Sequence, residues 1–290
     1  MRSGRDAAWS PGPRREFTAA EKRAAQVRST RGPKVPKAVA EAPAHTREEW
    51  IDEGPIRDVA IAATDRARTE TEAPKRTRAK GVLDPEVVAE VDREAGNQRS
   101  GRYRERLQSA AEALDRGRFD DARRMVQPVL RDLPNIAMAH EIAGLAFYST
   151  GQWRKAAAEL ELARQIDRSV RHHPVLADCY RALKRYDVVV ELWDELKGES
   201  PAPGLMAEGR IVAAGALADQ GDLRGALSLM AKAREMPKKV RDHHLRQWYV
   251  LGDLLDRSGE IVEARRFFGM VAQADAEFAD VMQRLASLGR

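Results

Sequence analysis

Two histidine pairs, His172-His173 and His243-His244, stand near Asp178, Cys179 and Asp242, and these residue types could ligate a metal or move protons. A zinc site needs three or four ligands converging from defined spacings, whereas adjacent histidines at a helix start point in different directions. Loop or capping roles therefore suit them better, and no metal is expected. Cys179 falls among apolar residues, where a small buried hydrophobe is the default reading of a thiol and a reactive nucleophile the lesser one. A Walker loop, a dinucleotide fingerprint, an HExxH run, a nucleophile elbow and a CxxC pair are all missing from the sequence. The expectation is a non-enzymatic protein with no catalytic residues and no cofactor.

The elements that would position any site must come from a core, and the hydrophobic content of 43% supports one only if it is unevenly spread. It is uneven. Residues 1–82 hold few large apolar side chains beside many Pro, Arg and Ala, too few to offset the entropy of ordering, and read as a disordered tail. The first 37 residues carry ten Lys and Arg against three acids, +7, while the whole chain is +5, so the remainder is close to neutral. Residues 48–58 are locally acidic, and residues 66–80 are basic again through Arg66, Arg68, Lys75, Arg76, Arg78 and Lys80. Alternating blocks of this kind make solvated electrostatic contacts.

A single cysteine rules out an intrachain disulfide. Charges at Arg14, Arg15, Glu16, Glu21 and Lys22 occupy the place of a signal-peptide apolar run, and no stretch reaches 18 apolar residues, so a cytoplasmic protein without a membrane segment is expected. Prolines at 11, 13, 33, 36, 43, 55 and 74 forbid long helices in the tail. Thr46 with Glu49 forms a short capping box, halted by Gly54-Pro55. Leu83-Asp84-Pro85-Glu86 is a better helix start, with Asp84 as N-cap, proline at the first helical position, and Val87, Val88 and Val91 at helical spacing. The domain boundary is placed there: tail 1–82, helical domain 83–290.

Downstream, amphipathic runs of helical period recur between short Gly or Pro turns. Gly117-Arg118-Phe119 with Ala122, Gly151-Gln152-Trp153 with Ala156, Gly221-Asp222-Leu223 with Ala226 and Gly259-Glu260-Ile261 with Ala264 repeat one signature, and Lys184-Arg185-Tyr186 with Val189 is a weaker copy. Their intervals are 34, 33, 37 and 38 residues. Small residues on each first helix (Ala110, Gly144, Ala177, Ala214, Gly252) would face alanine on the second, so that the axes approach closely. Three departures carry expectations: His173-Pro174 shortens the third repeat's first helix, Pro128 bends or ends the first repeat's second helix, and residues 200–205 and 237–240 form longer loops.

These residues and this period resemble the tetratricopeptide repeat, a 34-residue helix-turn-helix unit. The last copy is nearest the pattern, with Trp248, Leu251, Gly252, Ala264 and Phe268, and the resemblance covers about residues 102–275. More narrowly, the basic start and the segments 83–87, 176–179 and 210–215 resemble repeat proteins of high-GC Gram-positive bacteria, a group to which no activity is attached. The resemblance implies an all-α, right-handed superhelical array of about five hairpins, an α-solenoid, with residues 276–288 as a C-terminal capping helix. It also makes Trp153, Trp193, Trp248, Phe147, Tyr180 and Phe268 core residues rather than an aromatic cage.

The family's working surface is a concave groove lined by outward positions of the first helices. Carried over by register these are Leu107, Ala111 and Leu114 in repeat one, Met138, Glu141, Leu145 and Tyr148 in repeat two, and Asp178 and Arg181 in repeat three. Repeat four supplies Glu208, Ile211 and Asp219, and repeat five Arg246, Tyr249, Asp253, Asp256 and Arg257. The chaperone-tail carboxylate clamp is excluded, since the only asparagines, Asn97 and Asn135, lie outside this register. The expectation is a scaffold that takes a peptide or protein partner in this groove, against the plainer reading of a solvated face with no dedicated ligand. The rival is an RNA- or ribosome-associated protein using the tail with Arg99, Arg102, Arg104, Arg106, Arg118, Arg123 and Arg124. In the scaffold reading the tail adds only weak nucleic-acid contact.

Overall fold

In a computed structural model, residues 83–96 and 98–289 are described; the basic tail, the Thr46–Glu49 capping box and the proposed boundary's upstream side lie outside them. Among the described residues are twelve α-helices, one 3-10 helix and no strand. Helix α1 (Pro85–Ala95) precedes five helical hairpins: α2 (Ser100–Asp115) with α3 (Phe119–Asp132), α4 (Ala137–Ser149) with α5 (Trp153–Asp167), and α6 (His173–Ala182) with α7 (Tyr186–Glu199). The fourth pairs α8 (Pro203–Asp219) with α9 (Leu223–Leu229) and its 3-10 continuation (Met230–Arg234), and the fifth pairs α10 (Asp242–Arg257) with α11 (Ile261–Ala274). A last helix, α12 (Val281–Leu288), packs on α11.

The repeated turn is a Schellman motif in all five hairpins. In the first, the Gly117 amide donates to the Leu114 carbonyl and the Arg118 amide to the Ala113 carbonyl, and the same two bonds recur at 151/152, 184/185, 221/222 and 259/260. The closing residue must turn left-handed, which Gly117, Gly151, Gly221 and Gly259 do at φ between 70° and 85°. Lys184 adopts the same conformation at φ 56° despite its Cβ. After the turn, Trp153, Ala156 and Leu160 are buried along α5, and Ala264 and Phe268 along α11.

Close helix approach follows from the small residues. A Cβ on Gly144 would stand 2.7 Å from Leu160 Cγ, and one on Gly252 3.1 Å from the Phe268 ring. Among the described residues each hairpin packs chiefly on its sequence neighbours: every second helix contacts the next first helix, and first helices α2, α4, α6, α8 and α10 also contact one another in order. A first helix is thus covered on three sides, and 10 of the 13 residues of α4 and 12 of the 17 of α8 are buried. Second helices keep an outer face, with 5 of 15 residues buried in α5.

Three expectations are corrected. Helix α3 does not end at Pro128 but runs on to Asp132. Val126 and Val129, on either side of the proline, are 1% and 0% exposed, and their packing outweighs the lost backbone bond. The closing helix starts at Val281 rather than at 276, because the chain turns through residues 276–280 first, with Ala279 left-handed at φ 48°. The loop after α7 is shorter than expected, since α8 already starts at Pro203, where a missing amide costs nothing. The shortening by His173-Pro174 is seen: α6 has 10 residues, with proline in its first turn.

Candidate binding groove

The first helices lie side by side, so the positions carried over from the repeat register belong to one layer. Their exposure divides sharply. Glu141, Leu145, Tyr148, Arg181, Glu208, Ile211, Arg246 and Tyr249 are only 2 to 8% exposed. Met138, Asp178, Asp253 and Asp256 are half-buried, while Asp219 and Arg257 are exposed. In the first repeat Leu107 is fully buried and Ala111 and Leu114 are half-buried. The outward orientation expected of the first group is therefore corrected: contact between neighbouring first helices covers positions that a single hairpin would leave open.

What covers them is a ladder of polar bonds from one repeat to the next. The Tyr148 hydroxyl donates to Asp178 Oδ2 at 2.5 Å. Arg181 donates through Nε and Nη2 to Asp219 at 2.6 and 3.0 Å and lies 3.7 Å from Asp178. The guanidinium passes over Gly215, where an added Cβ would stand 2.6 Å from it, so glycine keeps that path clear. Arg246 Nε donates to Glu208 Oε1 at 2.6 Å with both side chains buried. Arg257 Nη2 reaches the Ala218 carbonyl at 3.3 Å. In the last rung the Tyr249 hydroxyl bonds Asp280, while Arg284 pairs with Asp253 and lies 3.3 Å from Asp256.

Burial sets the electrostatics of this layer. It pushes the Glu208 carboxyl up to about 7 against the pull of Arg246. It raises the Tyr249 phenol, helped by Asp280, and drives His243 down to about 4, helped by the charges of His244 and Arg246. Tyr148 and Tyr249, carried over as groove positions, are thus internal braces; Tyr148 also meets Trp153 edge to face, and Tyr249 meets Phe268 likewise, at centroid distances of 5.4 and 5.3 Å.

The histidine pairs are spent on structure. His172 and His173 are 2% exposed, His172 lies 3.4 Å from Glu141, and His173 Nε2 is 2.9 Å from Glu195. Among the described residues, no three His, Cys, Asp or Glu side chains gather as a metal site would require. Cys179 is fully buried in the cluster that holds Leu160, Leu176 and Leu192. Of the aromatic residues assigned to the core, Trp153, Trp193, Trp248 and Phe268 are buried, and Phe147 and Tyr180 half-buried. Four arginines of the nucleic-acid reading already sit beside carboxylates: Arg104 by Asp92 at 3.6 Å, Arg118 by Asp121 at 3.7 Å, Arg123 by Asp120 and Arg124 by Asp121.

Sequence reasoning missed one part of this face. Between α1 and the start of α4 lies a cleft of about 820 Å³, lined on one side by Val87, Glu86 and Glu90 and on the other by Met138, Glu141, Ile166 and Asp167. The valines at helical spacing announced α1, but nothing in its sequence told which neighbour its acidic side would face. Among the described residues no helix is long and apolar enough to cross a membrane.

No family model matches the sequence, and no curated protein does. Among solved structures, the chain is similar to a thermophilic TPR protein of Thermus thermophilus, with TM-score 0.49 and 17% identity over 64% of this chain and 98% of that one. It is similar to pilF of Pseudomonas aeruginosa at TM-score 0.49 and 19% identity, over 67% of this chain and 91% of that one. The TPR domain of P58(IPK) aligns at TM-score 0.35 and 17% identity, over 81% and 66% of the two chains. The repeated helical-hairpin architecture of this chain rests on its own turns and packing.

Proposed function

We propose that the chain is a non-enzymatic scaffold whose layer of first helices binds a peptide or protein partner. The observation that carries this reading is the ladder itself. Polar bonds between repeats hold Arg181, Glu208 and Arg246 inside the layer, while Met138, Asp178, Asp219, Asp253, Asp256 and Arg257 keep surface along it. Such a face is pre-organised, so little side-chain entropy is lost when a partner lies across it. Its half-buried carboxylates and aliphatic Met138 suit recognition by side-chain pockets along an extended or helical segment. No cofactor enters this function.

The test is selection of displayed peptides against the full chain, followed by hydrogen exchange with and without a selected peptide. Protection is expected in α4, α6, α8 and α10. Failure to select any peptide, or protection confined to α3, α5, α7 and α11, would overturn the reading. Binding that is displaced by nuclease treatment and weakens steeply with salt would favour nucleic acid instead, at a slope of about −0.7 per single-strand phosphate neutralised.

A further inference from the structure

We propose that the cleft between α1 and α4 is the end of the groove that receives an arginine or lysine side chain of the protein partner; this rests on the groove reading above. At about 820 Å³ the cleft falls within the roughly 300–1,000 Å³ of ligand pockets and has room for a long side chain with the backbone around it. Its position fits, because Met138 and Glu141 belong to the groove register and α1 adds an outer wall.

The lining is built for an amphipathic cation. Val87, Met138 and Ile166 offer an apolar surface on which an aliphatic stem can lie, and Glu86 and Glu90 stand on α1 above it. The opposite wall brings Asp167, at the end of α5. Of the two arginines in the lining, Arg171 is occupied, 2.7 Å from Asp167 and 3.4 Å from Glu141, so the α1 carboxylates are left with Arg93. The balance around the cleft is acidic. Glu90 registers the strain: burial raises its carboxyl pKa, and the negative charges of Glu94 on its own helix and Asp167 across the cleft add to the rise, with Arg93 opposing. A cation lodged between the walls relieves that repulsion and forms charge-assisted hydrogen bonds, which are about twice as strong as neutral ones. An acidic or neutral side chain gains neither.

Binding of two fluorescein-labelled peptides to the full chain, by fluorescence anisotropy at low salt, tests this. Both have an alanine-leucine host; one carries a central arginine, the other citrulline, which keeps the shape and removes the charge. The arginine peptide should bind at least about tenfold tighter, since hydrogen bonds to a charged group contribute about 1.5–3 kcal/mol. Glu86→Gln with Glu90→Gln should erase the difference, and Asp187→Asn on α7 should preserve it. Ala89→Trp, at an exposed position lining the cleft, should block both peptides without loss of helicity. Equal affinity for the two peptides, no binding of either, or discrimination that survives the double glutamine variant would overturn the proposal. So would tighter binding when Lys75, Arg76, Arg78 and Lys80 are changed to glutamine, which would make the chain's own basic segment the occupant. Selected peptides that protect α6, α8 and α10 but show no arginine preference would sink the cleft and leave the groove reading standing.

Discussion

Glu208 faces two opposed forces, the loss of water around its carboxylate and the attraction of Arg246 2.6 Å away. Burial wins, and the pKa rises to about 7 from an ordinary 4.5. The folded chain therefore binds more protons at this site than the unfolded chain between those values. The stability Glu208 contributes is fully present below about pH 4.5 and is lost as pH rises through about 7. Glu208→Gln cannot titrate, so the melting-temperature advantage of the wild type over this variant should shrink from pH 5 to pH 8. An advantage that grows with pH would mean that the attraction of Arg246 outweighs burial. The sequence displayed both residues as groove charges of opposite sign. It did not display their pairing, because a bond across 38 residues depends on the offset between two repeats, which no periodicity within either repeat encodes.

At the scale of the hairpin, much more was legible. The glycines of the turns and the alanines that follow them have narrow physical roles, left-handed backbone and close approach, so their spacing translates directly into five hairpins. Lys184 holds the left-handed turn position without glycine's freedom, and Lys184→Gly should stabilise the chain by up to about 1 kcal/mol. Ala156 and Ala264 are fully buried against the facing helix, so Ala156→Leu or Ala264→Leu should overpack it and cost about 1–3 kcal/mol. Thermal melts of the variants check both; unchanged melting of the two leucine variants would mean that the alanines do not carry the helix approach. The end expected at Pro128 and the outward groove positions were misread for one reason. Local rules describe a helix alone, while Val126, Val129 and the flanking first helices supply burial from elsewhere in the chain.

Across the described helical array, the main contacts run between neighbours, so stability is approximately a sum over repeats and junctions. The junction of repeat three with α8 combines several weaknesses. It follows the shortest first helix of the five hairpins and a turn closed by lysine, so repeat three is the weaker partner there, although α8 meets it through Leu205, Val212, Ala213 and Ala216. Hydrogen exchange over a denaturant series should accordingly resolve two blocks, α2–α7 and α8–α11, that open with different free energies. One uniform opening free energy across all five hairpins would contradict this. The same neighbour-to-neighbour wiring has a mechanical side. A load applied between α1 and α12 is borne in series, each joint carrying all of it, so the array yields first where one joint is weakest, while the segments on either side keep their shape as they part.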